Sequence, residues 1–285
     1  MTFDYISDLH FDAYLSEKDL KNKNEKKLLS LYDKVFFQHK LEEKRKYLFI
    51  SGDLANSNDY SIFGLNLLNK YYYKKIIFVL GNHDYYISQS DLNSGAYQNS
   101  FDRIEEFKYL IKKNKDLIYL DGDIVEIEGI NIGGFNSWYD GTFSKYYNYL
   151  KTEKEIQYFW ENYMLDSSRI YGIEKYNDIF FKEIIKIEKI YKNCDIILSH
   201  VSPSYLKENF SFKYKNDKSN CFFSFDGHKY LKNKKLKYWF FGHTHEIVNY
   251  KLFKTEVFAN PFGYPSESMF KKVKTIIIKK ENYEK

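Results

Sequence analysis

Cysteine is nearly absent from this sequence: Cys194 and Cys221 are the two in 285 residues. They allow one disulfide at most and no thiolate metal site. Cys194 opens an apolar strand and reads as a core residue. Arginine is almost as scarce, at Arg45, Arg103 and Arg169 alone, although lysine and arginine together number 44. Arginine is the favoured fork for phosphate and guanine, so its scarcity argues against dedicated nucleic-acid recognition. No apolar run approaches the roughly 18 residues of a membrane span. The chain enters an apolar strand at Thr2, leaving no room for a signal peptide. A soluble, reducing, cytoplasmic setting is the expectation. No Pro-, Gly- or Ser-rich polar stretch resembles a linker, which favours one domain over residues 1–285.

Lys, Asn, Tyr, Phe and Ile abound, a skew that fits an AT-rich genome, so the 29 tyrosines carry little information by themselves. The net charge is +5 and spread along the chain. Lysine runs at 18–27 and 232–237 could meet nucleic acid or anionic lipid, and a solvated helix face or loop is the plainer reading.

Apolar strands alternate with helical patterns. Thr2–Ile6 is a strand ending at Ser7-Asp8, followed by a helix over about 26–44 with Leu28, Leu29, Tyr32, Val35 and Phe36 at helical spacing. Tyr47–Ile50 is a strand stopping at Ser51-Gly52-Asp53, with a helix near 60–72. Lys75–Leu80 runs into Gly81-Asn82-His83-Asp84, and 98–113 reads as an amphipathic helix. Asp123–Ile127 and Ile130–Gly134 flank Glu128-Gly129 as a hairpin. A helix near 173–192 precedes the strand Asp195–Leu198, and Tyr238–Phe241, Lys254–Ala259 and Val273–Lys279 are the remaining strands. Strands apolar throughout imply sheets buried on both faces, an α/β architecture.

Histidine is sparse too, yet five of the seven fall in short polar blocks directly after these strands. The blocks are Asp8-Leu9-His10, Gly52-Asp53, Gly81-Asn82-His83-Asp84, Ser199-His200 and Gly242-His243-Thr244-His245. Carboxylate, imidazole and amide oxygen suit Zn, Mn, Fe and similar divalent ions. Strand carboxyl ends are where open α/β sheets build their sites, so the blocks are expected to converge. His39, in a lysine-rich helix, and His228, after Asp226-Gly227, read as surface residues.

In order and composition the five blocks resemble the calcineurin-like metallophosphoesterase family, and they span residues 8–245. The resemblance implies a four-layer αββα sandwich: two mixed β-sheets flanked by helices, with two divalent metal ions at the strand ends. Carried over residue by residue, Asp8, His10 and His245 would hold the first ion and Asn82, His200 and His243 the second, with Asp53 bridging. His83 would contact the substrate phosphate and protonate the leaving oxygen. Two metals roughly 3.5–4 Å apart can generate a bridging hydroxide near neutral pH and clamp an in-line displacement. Asp84 could orient His83 or cap a turn. Ala259-Asn260-Pro261-Phe262-Gly263-Tyr264 resembles turns in several bacterial members, and Trp138 could line the substrate lip or pack in the core.

The expectation is a metal-dependent phosphoesterase acting on a phosphodiester or phosphomonoester. A small molecule or nucleotide is favoured over a protein, because Gly52-Asp53-Leu54-Ala55-Asn56 departs from the Gly-Asp-x-x-Asp-Arg-Gly of the protein phosphatases. A nuclease, a di-iron redox enzyme and a non-catalytic protein-binding scaffold are the alternatives. Scaffold relatives usually lose the acid histidine or several ligands, which this chain keeps. Segments 135–172 and 202–235, rich in aromatics and lysine, are either substrate-rim insertions or decorated loops. Oligomeric state and native metals are not legible.

Overall fold

The computed structural model describes residues 1–36, 43–267 and 272–278. Its strands are β1 (Thr2–Ile6), β2 (Arg45–Ser51), β3 (Tyr73–Val79), β4 (Leu117–Tyr119), β5 (Asp123–Ile127), β6 (Ile130–Gly134), β7 (Ile196–Leu198), β8 (Tyr238–Phe241), β9 (Val248–Leu252), β10 (Thr255–Ala259) and β11 (Lys274–Ile277). They form a five-stranded sheet in the order β11-β1-β2-β3-β4 and a six-stranded sheet in the order β5-β6-β7-β8-β10-β9. β1 to β4 run parallel and β11 antiparallel. In the second sheet β6, β7, β8 and β10 are parallel, with β5 and β9 antiparallel at the edges.

Successive side chains of a strand point to opposite faces, and here both faces are apolar. Phe3, Tyr5, Phe49, Ile77 and Val79 face Ile132, Ile196, Leu198 and Phe240 across the gap between the sheets. Phe3 stacks on Phe49 at 4.1 Å between centroids, with Phe240 edge-on at 5.5 Å. The alternate residues, among them Leu48, Ile50, Ile76, Phe78, Ile197, Trp239 and Phe241, pack in the second core beneath the helices. Helices Glu25–Phe36, Asn58–Tyr71 and Ser100–Ile111 cover the first sheet and Asp178–Ile190 the second. The result is the four-layer αββα sandwich of two mixed sheets.

Several boundaries moved. The helix expected over 26–44 is Glu25–Phe36; residues 37–42, with His39, lie outside the described residues, and Arg45 already opens β2. β4 and β9 were not anticipated, being short or at a sheet edge. Residues 135–172 hold three helices, Thr142–Tyr147, Glu153–Tyr163 and Leu165–Arg169. Trp138 is core, buried and donating Nε1–H to the Tyr176 carbonyl at 2.9 Å. His228 is not a surface residue: it is half-buried at the start of a helical turn, 3.1 Å from Ser204 Oγ. The lysines at 18–27 are exposed and form pairs such as Lys23 with Asp59 and Lys27 with Asp19. Both cysteines are buried and free. Among the described residues no helix is long and apolar enough to cross a membrane.

Candidate metal centre

Because β1, β2 and β3 are parallel to one another, as are β7, β8 and β10, their carboxyl ends gather along one edge of each sheet. The two edges are stitched together there. Ser7 N–H donates to the Asn260 carbonyl at 3.1 Å and Phe262 N–H to the Ser7 carbonyl at 2.8 Å. Asp8 N–H reaches the Gly52 carbonyl at 3.0 Å, and His243 N–H reaches Asp8 Oδ1 at 2.9 Å. Leaving a strand this sharply requires left-handed backbone. Asp8, His10, Asp53, His243 and His245 all have positive φ, between 37° and 67°. Left-handed non-glycine residues are uncommon and gather where function over-determines the backbone.

These turns aim the side chains at one another. Asp8, His10, Asp53 and His245 each offer an atom within 4.8 Å of the others, and Asp53, His200 and His243 form a second such group. Asp53 is common to both. Its Oδ2 lies 3.4 Å from His10 Nε2 and 3.4 Å from His200 Nε2. His245 Nε2 is 3.5 Å from Asp8 Oδ1 and 3.3 Å from His10 Nε2, and Asn82 Oδ1 is 3.1 Å from His200 Nε2. Metal bonds of about 2.0–2.2 Å space neighbouring ligands of one ion roughly 3–3.5 Å apart, which matches these separations.

Proton positions make the same point. A carbonyl only accepts, so His200 Nδ1 donates to the Ser51 carbonyl at 2.8 Å and His243 Nε2 to the Phe222 carbonyl at 2.9 Å. His245 Nδ1 meets Glu267 Oε2 at 2.6 Å. Such outer partners are typical of metal-ligating histidines. They leave His200 Nε2 with a lone pair facing two further acceptors, Asn82 Oδ1 and Asp53 Oδ2. Only an added proton or a cation resolves that. Burial depresses the His200 imidazolium, but the Asp53 charge and hydrogen bond outweigh it and raise the pKa to about 9. Burial, with His200 adding to it, pushes His243 down to about 3 and keeps that ring neutral. The donor set fits divalent cations. Close packing depends on glycine: a Cβ at Gly81 would fall on Asp53 Oδ1 and within 2.6 Å of His200 Nε2.

His83 lies beside both groups and joins neither of them. Its N–H donates to Asp53 Oδ1 at 2.9 Å. Its ring meets Asn56 Oδ1 through Nδ1 at 2.9 Å and the Tyr264 hydroxyl through Nε2 at 3.1 Å. Asp84 does not orient that ring. Its buried carboxylate accepts from Gly81 N–H at 2.8 Å and Asp53 N–H at 3.1 Å, so it ties the turn instead.

The site also contains residues that the sequence did not single out. Asp166, buried on Leu165–Arg169, accepts from Asn82 Nδ2 at 2.8 Å, Tyr86 OH at 2.6 Å and Tyr139 OH at 2.7 Å. That contact turns the Asn82 amide so its oxygen faces His200. Glu267 and Asn56 act on His245 and His83 in the same way. Tyr264 stacks on His10 at 4.4 Å. Phe223 stacks on His243 at 4.5 Å. A cavity of about 750 Å³ opens over these groups, walled on the far side by parts of 135–172 and 202–235.

The chain matches the calcineurin-like phosphoesterase family over residues 1–246. It is 28% identical over 270 residues to Uncharacterized protein L509 of Acanthamoeba polyphaga mimivirus, covering 92% of this chain and 91% of that protein. The fold is similar to that of phosphopantetheinyl hydrolase from Mycobacterium tuberculosis, with a TM-score of 0.75 and 14% identity. That alignment covers 98% of this chain and 96% of the hydrolase. This chain belongs to the calcineurin-like phosphoesterases, a family of metal-dependent hydrolases of phosphoester bonds.

Proposed function

We propose that the chain hydrolyses a phosphodiester or phosphomonoester, of a small molecule or nucleotide rather than a protein, with two divalent ions such as Mn, Fe or Zn. In this reading Asp8, His10, Asp53 and His245 hold one ion, and Asp53, Asn82, His200 and His243 the other. The observation that carries it is Asp53 Oδ2, equidistant at 3.4 Å from an imidazole nitrogen of each group. When bound, such a pair supplies Lewis-acid polarisation of the phosphoryl oxygens and an activated water. His83 lines the cavity, with Nε2 at 3.1 Å from the Tyr264 hydroxyl, and serves as the proton donor to the leaving oxygen. Asn56 Oδ1 accepts Nδ1–H from His83, which orients the ring. Residues 1–285 act as one domain, with 135–172 and 202–235 as the substrate rim.

Metal titration of chelator-treated protein is the direct test. Two Mn²⁺ ions per chain are expected, with hydrolysis of a generic phosphoester panel, and Asp53→Ala is expected to lose metal and activity together. A metal-loaded protein inert across the panel would overturn the reading. Asp166 gives a second test. Asp166→Leu removes the acceptor that fixes the Asn82 amide, so metal affinity is expected to fall about 10–100-fold, the range for outer-shell losses. Asp166→Asn keeps an acceptor oxygen and is expected to recover part of it. Unchanged affinity by calorimetry in Asp166→Leu would show that Asn82 needs no such support.

A further inference from the structure

The wall of the site cavity is chemically lopsided. No lysine or arginine lines it among the described residues, although the chain has 44 of them. Two of the lysines on its flank lie against rings: Lys213 is 4.8 Å from the Tyr214 ring centre and Lys218 4.8 Å from that of Phe159. The charged wall residues beyond the proposed ligands are the carboxylates Asp166, Glu246 and Glu267. Large apolar side chains stand exposed at the mouth, with Tyr163 at 66%, Leu165 at 62%, Tyr214 at 50% and Ile247 at 46%. Exposed apolar surface gathered around a concave site marks a ligand groove. The volume of about 750 Å³ lies within the range of sites for organic ligands, roughly 300–1,000 Å³. A phosphate group alone needs far less.

We propose, resting on the phosphoesterase reading above, that the cavity takes a phosphoester carrying a neutral, largely apolar or aromatic arm and rejects polyanions such as nucleic-acid strands and nucleoside polyphosphates. The reacting phosphate sits over the Asp53 end of the cavity, and the arm lies along Tyr163, Leu165 and Tyr214. Each further phosphate on the arm would lose its water against the carboxylate of Glu246, with no lysine or arginine among the described wall residues to receive it. Proteins that bind polyphosphate backbones meet that charge with lysine and arginine; this wall does the reverse.

The test uses the manganese-loaded chain and p-nitrophenyl phosphodiesters that share one leaving group and differ in the second alkyl arm: methyl, octyl, phenylpropyl or phosphopropyl. Octyl and phenylpropyl esters are expected to exceed the methyl ester in kcat/KM by about 10-fold or more, as filled apolar pockets do. The phosphopropyl ester is expected to fall below methyl by at least about 10-fold, the electrostatic penalty acting in the opposite sense. Tyr163→Ala should shrink the phenylpropyl preference, and Leu165→Lys with Ile247→Lys should shrink the phosphopropyl penalty. Hydrolysis that is indifferent to the arm, or faster with the phosphorylated arm, overturns the inference alone. A metal-loaded chain that cleaves p-nitrophenyl phosphate but none of the diesters also overturns the inference alone; one that cleaves neither overturns the phosphoesterase reading and this inference with it.

Discussion

Replacing His83 with alanine is expected to lower turnover about 10²–10⁴-fold, the usual contribution of a positioned general acid, with metal content unchanged. The ring belongs to neither metal-binding group, and its two nitrogens meet Asn56 and Tyr264 rather than a carboxylate. The contact it makes to Asp53 runs through the backbone N–H, which alanine keeps. An acid matters most when the departing oxygen is a poor leaving group. The loss should therefore be large on an alkyl ester and much smaller on a p-nitrophenyl ester, whose phenolate departs unaided. Equal losses on the two esters would mean that His83 positions the phosphate instead of donating a proton. Loss of metal from His83→Ala would place it among the ligands.

Arg103→Leu is expected to cost about 3–5 kcal/mol of stability, the scale for stripping a buried charged partner from its acceptors. Arg103 is one of three arginines and is almost completely buried. Its guanidinium donates to the carbonyls of Ala55 at 3.2 Å and His83 at 3.1 Å and to that of Tyr86, while Nε donates to Asn58 Oδ1 at 3.2 Å. It thus fastens together the loops that follow β2 and β3. Leucine can fill much of the space but leaves those carbonyls buried without a donor, and each such group is expensive. Arg103→Lys, with one compact ammonium, should recover only part of the loss. The check is the urea midpoint at constant m-value. A shift equivalent to less than about 1 kcal/mol, the range of an ordinary substitution, would show that water replaces the guanidinium.

Legibility in the sequence followed the range of the interactions. β1 and β8 lie where continuous apolar runs placed them, because burial on both faces leaves a local signature, and β5 and β6 lie where the Glu128-Gly129 turn placed them. The five blocks also stand out locally, since each packs its polar residues into two to four positions. Asp166 has no such signature: its partners Asn82, Tyr86 and Tyr139 are 84, 80 and 27 residues away. Glu267 and Asn56 are ordinary surface types in sequence and act only through long-range contacts with His245 and His83. β9 escaped notice because an edge strand alternating Val248, Asn249, Tyr250, Lys251 and Leu252 reads as loop in so lysine-rich a chain. The helices of 135–172 escaped for a related reason, with Tyr146, Tyr158 and Tyr163 exposed and breaking the apolar pattern of a buried face.

The left-handed turns at Asp8, His10, Asp53, His243 and His245 set two kinds of selection against each other. A side chain in that conformation costs on the order of 1 kcal/mol that glycine would not. A library of this chain screened for heat resistance alone should therefore accumulate glycine at these five addresses, each change improving the fold while dismantling the centre. The same library screened for activity should hold all five and gather its stabilising changes elsewhere. The positions where the two screens disagree would trace the outline of the site without any substrate being known.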